Sequence, residues 1–415
     1  MAAEPGRIGL GRSHGCGTHV AFICEHMTLL CLFLVSLAVG GAHAFTLCGW
    51  ARSWTLAVRR RQFPQQREAD DHPGSDWAIV IPARNEANHL TNLLDDLNAT
   101  LQDHDVNIWV VDDQSEDDTV QVAQQHRLAR TGRLRVVGNR GVGKKSAIVT
   151  GMEHAKRTWV VTLDADVRLT PAWASTWAHA LSQTSSKVAA IAGPVVLSTR
   201  RHDPGLWEGV QALDYAAQMG WSAGCLATQK PGSASGANLA LRCDVYPDTR
   251  HLGPSGDDTL VVQTLHGRGW RVLWLADVGA MVATQGASSL SEWIAQRLRW
   301  ADKTKHYPWR TQRTAWWMAW MAFMQLGLVA AAILEPSNGV WQLALGWWLS
   351  VTALNVWFVA PVALWFGLRV NPSHWLVLGL TQPLQVPLLT IARTGLLKFV
   401  GIPSHATWKG RTCDS

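Results

Sequence analysis

Apolar side chains gather along this chain in two ways. Near both ends they form runs long enough to cross a bilayer, whereas between about residues 75 and 305 they come in short bursts. The first long run, Met27 to Trp50 (MTLLCLFLVSLAVGGAHAFTLCGW), has His43 as its only strongly polar side chain. As a helix its 24 residues reach about 36 Å, against a hydrocarbon core of about 30 Å. Ala42-His43-Ala44 imitates a small-x-small cleavage site, but the apolar run continues past it, and Arg52, Arg59, Arg60 and Arg61 follow. That basic cluster favours an uncleaved anchor behind a short tail (1–26), with the anchor's C-terminal flank in the cytoplasm.

A C-terminal membrane region (315–400) is expected after Arg313. Residues 315–334 and about 340–366 are apolar spans joined by Glu335-Pro336-Ser337-Asn338-Gly339, which predicts a helical hairpin. Trp316, Trp317, Trp341, Trp347 and Trp348 lie at or near span ends, as interfacial aromatics should. Asn355 and Pro361 require one face of the second span to meet protein. The last stretch, 374–397, carries Pro383, Pro387, Gln382, Gln385 and Arg393. A full crossing would place Lys398, Lys409 and Arg411 outside, against the positive-inside tendency. A re-entrant or interfacial segment, leaving the tail (401–415) cytoplasmic, is the favoured reading.

Between the spans, residues 75–305 alternate strand and helix patterns. WAIVI (77–81), NIWVV (107–111), Leu134–Val137 and WVVTL (159–163) read as buried strands. Helical spacing of leucines over 86–101, then 120–128 and 145–154, supplies the intervening helices. The alternation predicts a doubly wound α/β sheet, in which ligands sit at the carboxyl ends of strands.

Composition narrows the class further. Only 16% of residues are charged, below the roughly 25% of a soluble domain, and the net charge is +6. Seven cysteines lie at 16, 24, 31, 48, 225, 243 and 413 with no Cys-x-x-Cys pair, which excludes a disulfide scaffold and a zinc ribbon. No Lys/Arg stripe with interleaved aromatics occurs in the soluble part, so nucleic acid is not an expected partner.

Polar clusters fall where strands end. Asp112-Asp113-Gln114-Ser115 follows the second strand and can either accept bonds from a nucleoside or cap the next helix, a role open to Ser115 through Asp118. The glycine loop Gly138–Lys145 (GNRGVGKK) has Lys145 where a phosphate-cradling Walker loop needs Ser or Thr, which disfavours a P-loop NTPase; its two lysines still suit a diphosphate. Asp164-Ala165-Asp166 follows the fourth strand, and two carboxylates at i and i+2 can converge on one divalent cation. Ser255-Gly256-Asp257-Asp258 precedes an apolar helix-like run and can supply a general base or an N-cap. Gln296-Arg297-Leu298-Arg299-Trp300 sits on an amphipathic helix before the membrane. Trp293, Leu298 and Trp300 could anchor it at the interface, with Arg299 either a snorkelling flank or a phosphate ligand.

Taken in order, PARNEA (82–87), VDDQSEDDT (111–119), GKKSA (143–147), LDADV (163–167), SGDD (255–258) and QRLRW (296–300) resemble the membrane-bound family 2 glycosyltransferases. The resemblance implies a GT-A (Rossmann-like) α/β domain and inverting displacement at the anomeric carbon of a nucleotide-sugar donor, a UDP-sugar foremost. It assigns Ala83, Glu86 and Asp113 to the nucleoside, with Asp112 in support, and Lys144 to the diphosphate. Asp164 and Asp166 would hold Mg2+ or Mn2+, Asp166 as the direct ligand. Asp258 would be the general base, while Gln296, Arg299 and Trp300 would close over diphosphate and acceptor. The family's acid before the base is Glu; Asp257 is one methylene shorter, which leaves the base between Asp257 and Asp258, with Asp258 favoured. The ending Trp408-Lys409-Gly410-Arg411 also looks like that of membrane glycosyltransferases acting on lipids. The expected acceptor is a lipid or lipid-linked hydroxyl, and the expected setting is a bacterial inner membrane with the catalytic domain cytoplasmic. A processive polysaccharide synthase and a catalytically inactive scaffold are the alternatives.

Overall fold

Four of the apolar bursts become adjacent strands of one sheet. In the computed structural model, which describes residues 15–59, 76–198, 204–248, 256–334, 336–396, 407–408 and 411–412, these are β1 (Trp77–Ala83), β2 (Asn107–Asp112), β3 (Leu134–Gly138) and β4 (Trp159–Leu163). The N-terminal tail to residue 14, Arg60, Arg61, Ser255, Glu335, Lys398, Lys409, Gly410, residues 401–406 and residues 413–415 lie outside the described residues. Further along come β5 (Arg168–Leu169), β6 (Val188–Ala192), β7 (Val195–Ser198), β8 (Asn238–Arg242), β9 (Arg271–Trp274) and β10 (Val282–Gln285). The short pair β11 (Thr407–Trp408) and β12 (Arg411–Thr412) completes the set.

The main sheet has the order β3-β2-β1-β4-β8-β6-β9, and β5-β10-β7 form a second, smaller sheet. β1 to β4 are parallel, as alternation with helices predicts. β8 departs from that expectation and runs antiparallel to both β4 and β6. Its sequence, NLALR, is buried on either heading, so apolar pattern alone cannot set its direction.

β1 continues through Pro82 rather than stopping there. Ala83 directs its carbonyl to the Asp113 N–H on the β2 side, so by alternation Pro82 turns its nitrogen toward β4. The β1–β4 register ends at Val80–Thr162, so the missing N–H costs no ladder bond.

Helices cover the sheet: α2 (Ala87–Thr100), α3 (Thr119–Gln125), α4 (Arg127–Arg130), α5 (Lys144–Ala155), α6 (Trp173–Ser182), α7 (Leu206–Ala227) and α8 (Thr259–Gly267), with α9 (Leu290–Lys303) leading to the membrane. Leu90, Leu93, Leu94 and Leu97 of α2 are all fully buried, as their spacing predicts. The long flanking helices are α1 (Gly15–Arg59), α10 (Trp309–Leu334) and α11 (Asn338–Trp365). The final apolar stretch is broken into α12 (Pro372–Thr381) and α13 (Gln385–Arg393) around a single 3-10 turn at Gln382–Leu384 that contains Pro383. Four segments, Leu29–Arg59, Trp309–Leu334, Gly339–Trp365 and Pro372–Arg393, are long and apolar enough to cross a membrane. The chain is a membrane protein.

Two tryptophans depart from the interfacial expectation. Trp347 is 7% exposed and packs with Val39, Met321 and Ala344, and Trp348 donates its ring N–H to the Gly379 carbonyl at 3.0 Å. Both rings fill inter-helix contacts because small residues face them: Gly40 lies against the Trp347 ring, where a Cβ would sit 3.1 Å away. Asn355 does meet protein, its amide oxygen accepting from His43 Nε2 (3.2 Å) and its amide nitrogen donating to Gln382 (2.9 Å). The core of the sheet runs without interruption into these helices, joining Trp54 and Ala57 of α1 and Val362 and Phe366 at the end of α11 to β1, β4 and α7.

Candidate active site

A cavity of about 1230 Å³ opens at the carboxyl end of the sheet, facing α9. It gathers Glu86, Lys144, Asp164, Asp166, Asp257 and Asp258 with Gln296, Arg299 and Trp300, residues drawn from distant parts of the chain. Strand ends put them there: Glu86 follows β1, Asp164 and Asp166 follow β4, and Lys144 opens α5. Asp258 caps α8, accepting from the Thr259 N–H, and α9 brings the last three from the membrane side.

The centre is an ion cluster. The Lys144 Nζ lies 2.7 Å from Asp164 Oδ1 and 2.9 Å from Asp257 Oδ2. Burial alone would lower the ammonium, but the Asp164 and Asp257 carboxylates overcome it and hold Lys144 well above its ordinary value. For Asp164, burial and the neighbouring Asp166 outweigh Lys144, so its carboxyl is raised. Asp258 pairs with Lys303 at 3.2 Å. Burial pushes the Asp258 carboxyl up, yet Lys303, Lys144 and the Thr259 N–H together hold it below the usual range. Asp166 accepts a hydrogen bond from the Thr284 hydroxyl at 3.0 Å. Gly236 lies against the cluster: a Cβ there would sit 2.5 Å from Asp257 Oδ2 and 2.9 Å from Lys144 Nζ, so a side chain would displace that ion pair.

Three expected donor residues do not line the cavity. Ala83 is 1% exposed, with its carbonyl taken by the Asp113 N–H at 2.8 Å. Asp113 is fully buried, accepting from Asn139 Nδ2 (2.7 Å) and the Gly143 N–H (3.0 Å), so it anchors the glycine loop. Asp112 accepts from the Ser115 N–H at 3.2 Å and shapes the turn. The N-terminus of α3 is bonded by Asp117, whose carboxylate takes the Thr119 N–H at 3.1 Å. Lys145 is 4% exposed and outside the cavity, so only one of the loop's two lysines faces it. With the Gly143 amide turned onto Asp113, the loop is not an open phosphate cradle.

Several residues in and around the wall have no distinctive sequence signal. Arg84, 6% exposed, donates to the carbonyls of Asp113 (2.9 Å) and Gln114 (2.8 Å) and pairs with Glu116, tying the β1 end to the β2 end. Asn85 (φ 53°) and Gln114 (φ 61°) adopt left-handed conformations in these two turns. Tyr215 of α7 faces the cavity with its phenol pushed up to about 12 by burial, the Ser235 bond opposing. In QRLRW, Arg297 is the internal residue: it pairs with Asp214 and lies over the Trp293 ring (5.1 Å) and the Trp300 ring (4.7 Å). Trp293 and Leu298 are buried against Ala392, Leu388 and Leu389, so they dock α9 onto α13 rather than anchoring it in lipid headgroups. Arg84 is visible in PARNEA, but only the fold tells a clasping arginine from a solvated one.

A family model described as glycosyl transferase family 2 matches residues 78–219, and one described as glycosyl transferase family group 2 matches residues 159–385, more than half of the chain. The chain belongs to the family 2 glycosyltransferases. Among curated relatives of this family 2 glycosyltransferase, the undecaprenyl-phosphate 4-deoxy-4-formamido-L-arabinose transferase of Pseudomonas savastanoi pv. phaseolicola is 37% identical over 97 residues. The match covers 23% of this chain and 29% of the relative. The enzyme of the same name from Klebsiella pneumoniae is 35% identical over 98 residues, again 23% of this chain and 30% of the relative. The chain therefore aligns with under a third of the length of these relatives. Among solved structures, the mannosyltransferase PcManGT from Pyrobaculum calidifontis, in complex with GDP-Man and Mn2+, covers 85% of this chain and 99% of its own. Its TM-score is 0.54 at 19% identity, which shows a shared GT-A type fold.

Proposed function

We propose that the protein is an inverting glycosyltransferase that moves a sugar from a nucleotide-sugar donor, a UDP-sugar foremost, to a hydroxyl of a membrane lipid or lipid-linked acceptor. The observation that carries this reading is the convergence of the β4-end, α5 and α8 charges with the QRLRW helix in one cavity beside the membrane helices. Such a position lets a lipid present its head group without leaving the bilayer.

Asp258 takes the acceptor proton as the acceptor oxygen bonds to the anomeric carbon, while the bond from that carbon to the diphosphate oxygen breaks. A carboxylate held ionised by Lys303 suits a proton that is lost late. Both acids are paired with a lysine, but Asp257 is buried whereas Asp258 is half-buried, which makes Asp258 the more accessible base. Negative charge builds on the departing nucleoside diphosphate, where Lys144 and Arg299 stabilise it. Trp300 and Gln296 close that side. Glu86 contacts the nucleoside; Asp113, Asp112 and Ala83 act behind it by holding the two turns. Asp164 and Asp166 are hard oxygen donors of the kind Mg2+ or Mn2+ takes, and with no cluster of three His, Cys, Asp or Glu ligands among the described residues, donor phosphate oxygens would complete the shell. The cation would supply further charge neutralisation on the diphosphate. The relatives are named for a lipid carrier, and the structural neighbour holds GDP-Man and Mn2+, which supports a lipid acceptor, a nucleotide-sugar donor and a divalent cation. Nucleotide sugars are cytoplasmic, which supports a cytoplasmic catalytic domain (75–305) on a bacterial inner membrane.

The test is a screen of nucleotide sugars with total membrane lipid, comparing wild type with Asp166→Ala and Asp258→Asn. A lipid product carrying one sugar, lost in both variants, supports the reading. Activity in both variants removes the mechanism, and a long insoluble polymer replaces it with a processive synthase.

A further inference from the structure

A second crevice lies between α1 and α10 and shares no lining residue with the catalytic cavity. Its volume is about 790 Å³, within the range of roughly 300–1,000 Å³ typical of ligand sites. At one end are Trp50, Trp309, Arg310 and Arg313; at the other are Ala42, Phe45 and Trp320. The 11 steps from Trp309 to Trp320 rise about 16 Å along the helix, roughly half the hydrocarbon core. Phe45 (82% exposed), Trp309 (65%) and Trp316 (67%) leave its apolar walls uncovered. Arg310 and Arg313, one turn apart on α10, are exposed and face no ion-pair partner among the described residues.

Both walls are segments long and apolar enough to cross a membrane, so a crevice between them faces lipid along most of its length. Two unpaired guanidiniums at its rim select the lipid's charge, since arginine forks match phosphate oxygens. We infer that the crevice between α1 and α10 binds one anionic phospholipid, its phosphate on Arg310 and Arg313 and one acyl chain lying along Phe45, Trp316 and Trp320. The site does not depend on the sugar-transfer reading. Trp50 forms part of its wall and meets Trp221, a wall residue of the catalytic cavity, edge to face at 6.5 Å, so the lipid abuts a shared partition.

Native mass spectrometry of the purified full chain, equilibrated with equal phosphatidylglycerol and phosphatidylcholine, tests this. Wild type should retain one phosphatidylglycerol in preference to phosphatidylcholine, and Arg310→Gln/Arg313→Gln should weaken that retention roughly thirty-fold, at about a fivefold loss per surface arginine. Equal retention of both lipids, or unchanged retention by the double variant, overturns the inference. So does full displacement by soluble glycerol phosphate, which would make this a free-anion site. Should the double variant not fold, tryptophan quenching of wild type by dibrominated lipids decides. Phosphatidylglycerol must quench at a lower mole fraction than phosphatidylcholine, and equal quenching refutes the site.

Discussion

Lys144 is the residue on which the charge balance of the cavity turns. It is the cation shared by Asp164 and Asp257, so Lys144→Met should leave two carboxylates uncompensated, at a cost of about 3 kcal/mol in denaturant unfolding. Its raised value means this stabilisation is complete below the ordinary lysine range and lost as pH rises through the folded-state value. The gap between variant and wild type should also narrow in acid, as Asp164, which is raised, takes up a proton before an ordinary carboxyl would. Asp258 behaves oppositely. Its depressed value adds stability above the usual carboxylate pH range, lost as pH falls through the folded value, and the acid limb of a pH–rate profile should likewise lie below that range. Asp258→Asn should lower kcat by about 10²–10⁴ in an assay with a responsive donor, with less change in KM.

At the scale of elements, sequence legibility tracked locality. β1 to β4 could be read because each is an apolar burst bounded by polar turns, and the ends of β1 and β4 deliver Glu86, Asp164 and Asp166 to the cavity. β6, β8 and β9 could not, because their pairing is non-local and β8 reverses direction. Asn238 at the start of β8 shows what such a position holds together: it accepts from the ring N–H of Trp173 (3.2 Å) and Trp177 (3.1 Å) and donates to the carbonyls of Pro194 and Ala280. Asp112 and Asp113 fall at the end of β2, as the pattern predicts, yet a carboxylate that anchors a loop and one that awaits a ligand have the same letter. Helix contacts carry a sharper constraint. Gly224 of α7 faces Ser53 and the Trp54 backbone of α1, where a Cβ would sit 2.9 and 3.1 Å away. Gly224→Val must push these helices apart, and its Tm should fall by an amount equivalent to about 1–3 kcal/mol.

For the whole molecule, the sheet and the bilayer segments do not behave as separate units. Trp54, Val362 and Phe366 belong to the same core as β1 and α7, and Trp54 meets Trp365 and Phe366 ring to ring at 5.6 and 6.4 Å. A fragment of residues 76–306 would expose that apolar floor and should elute as aggregate in size-exclusion chromatography, whereas the full chain in detergent runs as a defined species. The shared core also removes any swivel between the reaction chamber and its anchor. Lipid thickness thus becomes a mechanical input to catalysis: thinner bilayers that tilt α1 and α11 would drag the sheet's underside with them. Turnover should then vary with acyl length in reconstituted vesicles even when head group and donor are held constant.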